Sequence, residues 1–141
     1  MRENPIYNVT PPDMLLPDSG PVITILSSDE DFILDLESLY ENIFKTVPIT
    51  LYHPNGIIND SNSAWMISMM NFSDTVYVDL DNISELGLMC AVMVNRPGTV
   101  YINKKNKRKS VVRLLNTNKD VNVYQNIGEY AEMMLDNIEA I

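Results

Sequence analysis

A chain of 141 residues that is 45% hydrophobic can bury one substantial core and leaves no length for a second domain. Ten Lys and Arg against nineteen Asp and Glu give a net charge of −9, which disfavours nonspecific binding to nucleic acid and to anionic membrane surfaces. A single cysteine, Cys90, excludes an internal disulfide and a multi-cysteine metal centre; with no apolar run long enough to span a bilayer and no basic-then-apolar leader, the expected compartment is the cytoplasm.

Residues 1–20 carry Pro5, Pro11, Pro12 and Pro17 without a periodic pattern, and read as an extended arm rather than a folded element. Its Ile6, Tyr7, Met14, Leu15 and Leu16 suggest that part of it lies on a surface, either its own domain or a protein partner. Residues 21–141 then form the single domain. The β-branched run at 22–27 predicts a strand, followed by a helix over 29–45 with Ser28 as its cap and Asp29, Glu30 and Asp31 in the first turn, where negative charge suits the helix dipole. A strand at 49–53 ends on His53 beside Pro54-Asn55-Gly56. The helix near 62–71 carries Trp65, Met66, Met69 and Met70, read most simply as core filling, although methionines also suit adaptable interfaces between copies of the chain.

The next strand, 75–80, ends in carboxylates at Asp79 and Asp81, and a helix over 83–95 opens with Glu85 in its first turn and repeats Leu86, Met89, Cys90 and Met93 at helical spacing. It stops before Arg96-Pro97-Gly98, and a strand follows at 99–103. Lys104-Lys105-Asn106-Lys107-Arg108-Lys109 is the one concentration of positive charge, read as a solvated loop or as a site for a nucleotide 5′-phosphate or an acidic surface. Val111 to Leu115 is either a short strand or a helical turn, 121–124 is a strand, and 127–141 is an amphipathic helix turning Ile127, Tyr130, Ala131, Met134, Leu135 and Ile138 inward.

Five alternations of strand and helix predict an α/β domain of flavodoxin-like type, with a mostly parallel five-stranded sheet covered by helices on both faces. Such sheets bind ligands outside the carboxyl ends of their strands, where the strand order reverses, so Ser27, Ser28, His53, Asp79, Asp81 and Asn103 are the candidate site residues. There is no Gly-rich phosphate loop of the dinucleotide or P-loop kind, and neither a cofactor nor a metal ion is expected.

Asp79, then Glu85-Leu86-Gly87 six residues later, an apolar helix ending near Arg96-Pro97 and the strand Thr99-Val100-Tyr101-Ile102 together resemble the signature of nucleoside 2-deoxyribosyltransferases and the related deoxynucleotide N-glycosidases. The resemblance covers residues 75–103 and elsewhere rests on element order. It implies that Glu85 is the nucleophile taking the deoxyribose carbon as the base leaves, that Asp79 is a substrate-orienting acid, and that Gly87 lets the helix approach the sheet and the sugar. It also implies a nucleoside or nucleotide substrate and a homo-oligomer whose active sites are completed by a neighbouring subunit. Ser27-Ser28-Asp29 stands where the family has a glycine-containing loop, and Ala64-Trp65-Met66 where its second helix often carries a further acid. A catalytically inactive module that binds or assembles through protein contacts is therefore a second reading. A receiver-like signalling domain ranks last, because Tyr124-Gln125-Asn126 supplies no lysine before the final helix.

Overall fold

The computed structural model describes residues 6–13, 20–43, 47–54, 56–94, 98–105, 108–115, 117 and 122–132. Expectations for Arg96-Pro97, Val121, and Met134, Leu135 and Ile138 of the last helix fall outside them.

In chain order the elements are β1 (Ile6–Val9), β2 (Val22–Leu26), α1 (Glu30–Ile43), β3 (Ile49–Tyr52), α2 (Ser63–Phe72), β4 (Thr75–Asp79), α3 (Glu85–Val94), β5 (Thr99–Ile102), α4 (Lys109–Leu115) and β6 (Asn122–Tyr124), with a last helix, α5, described over 127–132. All strand pairs are parallel, in the order β1-β3-β2-β4-β5-β6. The central strands are buried on both faces, which is why their sequences run as unbroken apolar stretches. This is the flavodoxin-like α/β fold, with five strands where the sequence places them and one more.

The additional strand corrects the reading of the N-terminal arm. Ile6 to Val9 pairs with β3 in the register Ile6↔Ile49 to Val9↔Tyr52, and Trp65 Nε1 donates to the Asp13 carbonyl at 2.8 Å, so the described part of the arm lies on its own domain. Only Val9 of the four strand residues is buried, and an edge strand with so little to bury has no clear hydrophobic signature. Val111 to Leu115 belongs to a helix rather than a strand.

Side-chain alternation along the strands divides the core in two. Val76, Val78, Leu26 and Tyr101 point to the face covered by Met66 and Met70 of α2, Leu88, Cys90 and Ala91 of α3, and Val111, Val112 and Leu115 of α4. Ile23, Ile25, Tyr77, Val100 and Ile102 point to the face covered by Phe32, Ile33, Leu36 and Tyr40 of α1 and by Ile127 and Tyr130 of α5. The methionines of α2 are thus core filling, as the simpler reading of them expects. No helix among the described residues is long and apolar enough to cross a membrane.

From β2 the chain moves outward to β3, then returns through α2 to place β4 on the other side of β2. The strand order therefore reverses between β2 and β4, and the crevice of an open α/β sheet belongs at their carboxyl ends.

Candidate functional site

Asp79 is the last residue of β4 and is only 2% exposed. Its Oδ2 accepts from Ser27 Oγ at 2.7 Å and from Asn82 Nδ2 at 2.9 Å, and its Oδ1 accepts from the Asp81 backbone N–H at 3.2 Å. Ser27 is oriented in turn, because its Oγ accepts from the Asp29 N–H at 3.0 Å and so is left to donate toward Asp79. Burial pushes the Asp79 pKa up; the hydrogen bonds from Ser27, Asn82 and Asp81 pull against it, and the nearby Asp81 charge adds to the rise.

The loop after β2 is stapled to the loop after β4. Ser28 donates both its backbone N–H, at 3.0 Å, and its hydroxyl, at 3.1 Å, to the Asn82 carbonyl. The cap of α1 is therefore Asp29, whose Oδ1 accepts from the Asp31 N–H at 3.0 Å, and not Ser28 as the sequence suggests.

Beside this pair of loops lies a cleft of about 390 Å³, within the size range of small-molecule sites. Five carboxylates line it: Asp29, Asp31 and Asp35 from the start of α1, and Asp79 and Asp81 from the end of β4. Lys104 and Lys105 supply positive charge, Phe32 and Ile102 apolar surface, and residues 126–128 at the start of α5 complete the wall. Asp81 Oδ2 accepts from the Lys105 N–H at 3.0 Å, while its Oδ1 is buried with no hydrogen-bond partner among the described residues. Such a surface can accept hydrogen bonds from hydroxyl and amino groups, pack a flat apolar ring and draw an anionic group to its lysine side. Among the described residues no group of three His, Cys, Asp or Glu is arranged to hold a metal ion.

Of the residues singled out from sequence, the structure brings Ser27, Asp79 and Asp81 together, with Ser28 one bond away through Asn82. Glu85 is not among the residues lining the cleft: it opens α3 with its side chain 85% exposed, and its Oε1 accepts from Arg108 Nη1 at 2.7 Å. Gly87 is buried in the first turn of α3, where Ile83 and Ile58 press against it. His53 lies beyond β3, its N–H donating to the Val9 carbonyl at 3.1 Å; its Nδ1 is buried with no partner among the described residues, and burial lowers its pKa. Asn103 donates its N–H to the Tyr124 carbonyl at 2.8 Å and lines a separate cavity of about 270 Å³ with Val112, Val123 and Glu129.

Sequence reasoning missed Asn82 and Arg108. Asn82 was legible in principle, since Asp79-Leu80-Asp81-Asn82 can close a turn, and the Asn82 N–H does donate to the Asp79 carbonyl at 3.1 Å. Nothing in the basic run marked Arg108 as a cation that bonds to the turn after β4.

No protein-family model matches the chain, and comparison with curated proteins returns no match.

Proposed function

We propose that the cleft binds a 2-deoxynucleoside or its monophosphate and that the domain cleaves or transfers across the N-glycosidic bond. The observation that carries this reading is the buried, pre-oriented Asp79 carboxylate at the strand-order reversal, beside a cleft of about 390 Å³. A sugar hydroxyl would donate to Asp79 or Asp81, the base would lie against Phe32 and Ile102, and a 5′-phosphate would meet Lys104 and Lys105. In the chemical step a Glu85 carboxylate oxygen bonds to C1′ as the C1′–N bond breaks. The electron pair leaves with the base, which takes a proton from Asp79, the carboxyl whose pKa burial raises. Water or a second base then attacks C1′ and releases Glu85, the incoming proton returning to Asp79. For this step Glu85 must exchange its Arg108 ion pair for the sugar.

That ion pair also favours the second reading, a binding or assembly module with no covalent step. Incubation of the purified protein with deoxynucleosides and their monophosphates, with and without a second base, separates the two. Free base released by wild type and lost in Glu85→Gln supports the enzyme; ligand binding without release leaves the binding module. The resemblance further implies self-association, and the exposed apolar stripe of α3, Met89, Val92 and Met93, supports a second copy as its cover.

A further inference from the structure

Arg108 does not line the cleft, yet its guanidinium is bonded to the turn that forms one wall of it. Its Nε donates to the Leu80 carbonyl at 3.0 Å and its Nη2 to the Ile83 carbonyl at 2.7 Å, while Nη1 bonds to Glu85 Oε1 at 2.7 Å. Leu80 and Ile83 bracket Asp81 and Asn82, the two turn residues that face the cleft. Asn82 holds the Asp79 carboxylate and, through its own carbonyl, the Ser28 loop. Three residues before Arg108, the Lys105 N–H closes a second bond to the same turn at Asp81. The guanidinium side chain is 23% exposed, so its bonds to the two carbonyls are largely shielded from water. A planar fork can serve two carbonyls and a carboxylate at once, whereas an ammonium presents its donors from a single atom.

We infer that Arg108 is a positioning residue: it fixes the Leu80–Ile83 turn, and with it the Asp79–Asn82 wall of the cleft, while tethering Glu85 outside that wall. Its effect on ligand rests on the nucleoside reading above, but its effect on the wall does not. The amides of Ser28, Asp81, Asn82 and Lys105 all donate into this assembly and report on it directly, and those of Ile25 and Tyr77 in the central strands serve as references.

Amide hydrogen exchange is measured by NMR on wild type, Arg108→Met, Arg108→Lys and Glu85→Gln, followed by titration of wild type and the two Arg108 variants with 2′-deoxynucleosides. Arg108→Met should speed exchange at the four reporter amides and leave Ile25 and Tyr77 protected; Arg108→Lys should restore part of the protection, and Glu85→Gln, which keeps both carbonyl bonds, should exchange like wild type. Nucleoside affinity should fall in Arg108→Met in proportion to the time the released wall spends out of its binding arrangement, about tenfold for a wall in place about a tenth of the time, and less in Arg108→Lys. Unchanged reporter exchange in Arg108→Met, equal acceleration in the central strands, or a Glu85→Gln profile matching Arg108→Met overturns the inference. If wild type binds no nucleoside, the nucleoside reading fails, and the exchange comparison alone still decides whether Arg108 holds the wall.

Discussion

Replacing Gly87 by alanine sets two effects of known sign against each other. A glycine inside a helix costs about 1 kcal/mol relative to alanine, so propensity alone favours the substitution. A Cβ at this position, however, would meet Ile83 Cγ1 at 2.8 Å, Ile58 Cδ1 at 2.9 Å and Ser84 Oγ at 3.2 Å. Ile83 and Ile58 are 7% and 4% exposed, and Ser84 Oγ is held by the Gly87 N–H and the Ile58 carbonyl, so none of the three can retreat freely. Overpacking of this kind costs about 1–3 kcal/mol. The steric clash outweighs the propensity gain, and Gly87→Ala should be net destabilising by about 1 kcal/mol. The assay is urea unfolding of wild type, Gly87→Ala, Ile58→Val and the double variant. Ile58→Val removes the Cδ1 contact and should by itself cost about 1 kcal/mol, while the double variant should be more stable than the sum of the singles predicts. A Gly87→Ala protein stabilised by the full propensity gain, with no coupling to Ile58, would refute the close approach of α3 to the loop carrying Ile58.

Other consequences follow from single groups. Ser84 caps α3 by accepting the Gly87 N–H at 3.0 Å and donates to the Ile58 carbonyl at 2.8 Å, so Ser84→Ala should cost about 1–3 kcal/mol, read as a lower urea midpoint. His53 has a folded pKa below its ordinary 6.5, so the folded state binds its proton less tightly than the unfolded state; its contribution is complete above pH 6.5 and is lost as pH falls through the lowered pKa. His53→Gln should remove that acid loss from the melting-temperature profile. Asp79 acts in the opposite sense: its pKa is raised from 3.8, so its contribution is greatest below that value and is lost as pH rises through the folded pKa. The stability of wild type relative to Asp79→Asn should therefore grow as the solution is acidified. If α3 carries a self-interface, Met93→Glu should shift sedimentation toward monomer without lowering the melting temperature of the monomer, because Met93 is 70% exposed.

β2 to β5 were legible because each is an apolar run that must be buried on both faces, and such runs have few alternatives in a chain of this length; β6, at the sheet edge with Val123 and Tyr124 half-buried, was legible from its β-branched and aromatic residues. β1 was hidden because Ile6–Val9 buries one residue and lies among prolines, and its pairing is decided by the free edge of β3. The helix at Lys109–Leu115 was ambiguous because Val111 and Val112 favour strands, while Arg108 anchors the helix start to the turn after β4. At the site, Asp79 could be placed from its position at the end of a buried strand. The direction of Glu85 could not, because an exposed first-turn side chain goes where its partner is, and that partner lies 23 residues further on. Ser28 and Asp29 are both good caps; which of them serves depends on the Asn82 carbonyl, 54 residues from Ser28. His53 and Asn103 also follow strands, but neither strand borders the reversal of strand order, and the cleft is not lined by them.

The most direct test of the central claim is an NMR titration of the intact protein with 2′-deoxynucleosides and their 5′-monophosphates, with assigned backbone amides. Binding in the cleft predicts saturable shifts at Ser27, Asp29, Asp79, Asp81, Asn82, Lys104 and Lys105, with His53 unaffected. No shifts at millimolar ligand for any common base, or shifts that map away from the carboxyl ends of β2 and β4, would contradict it.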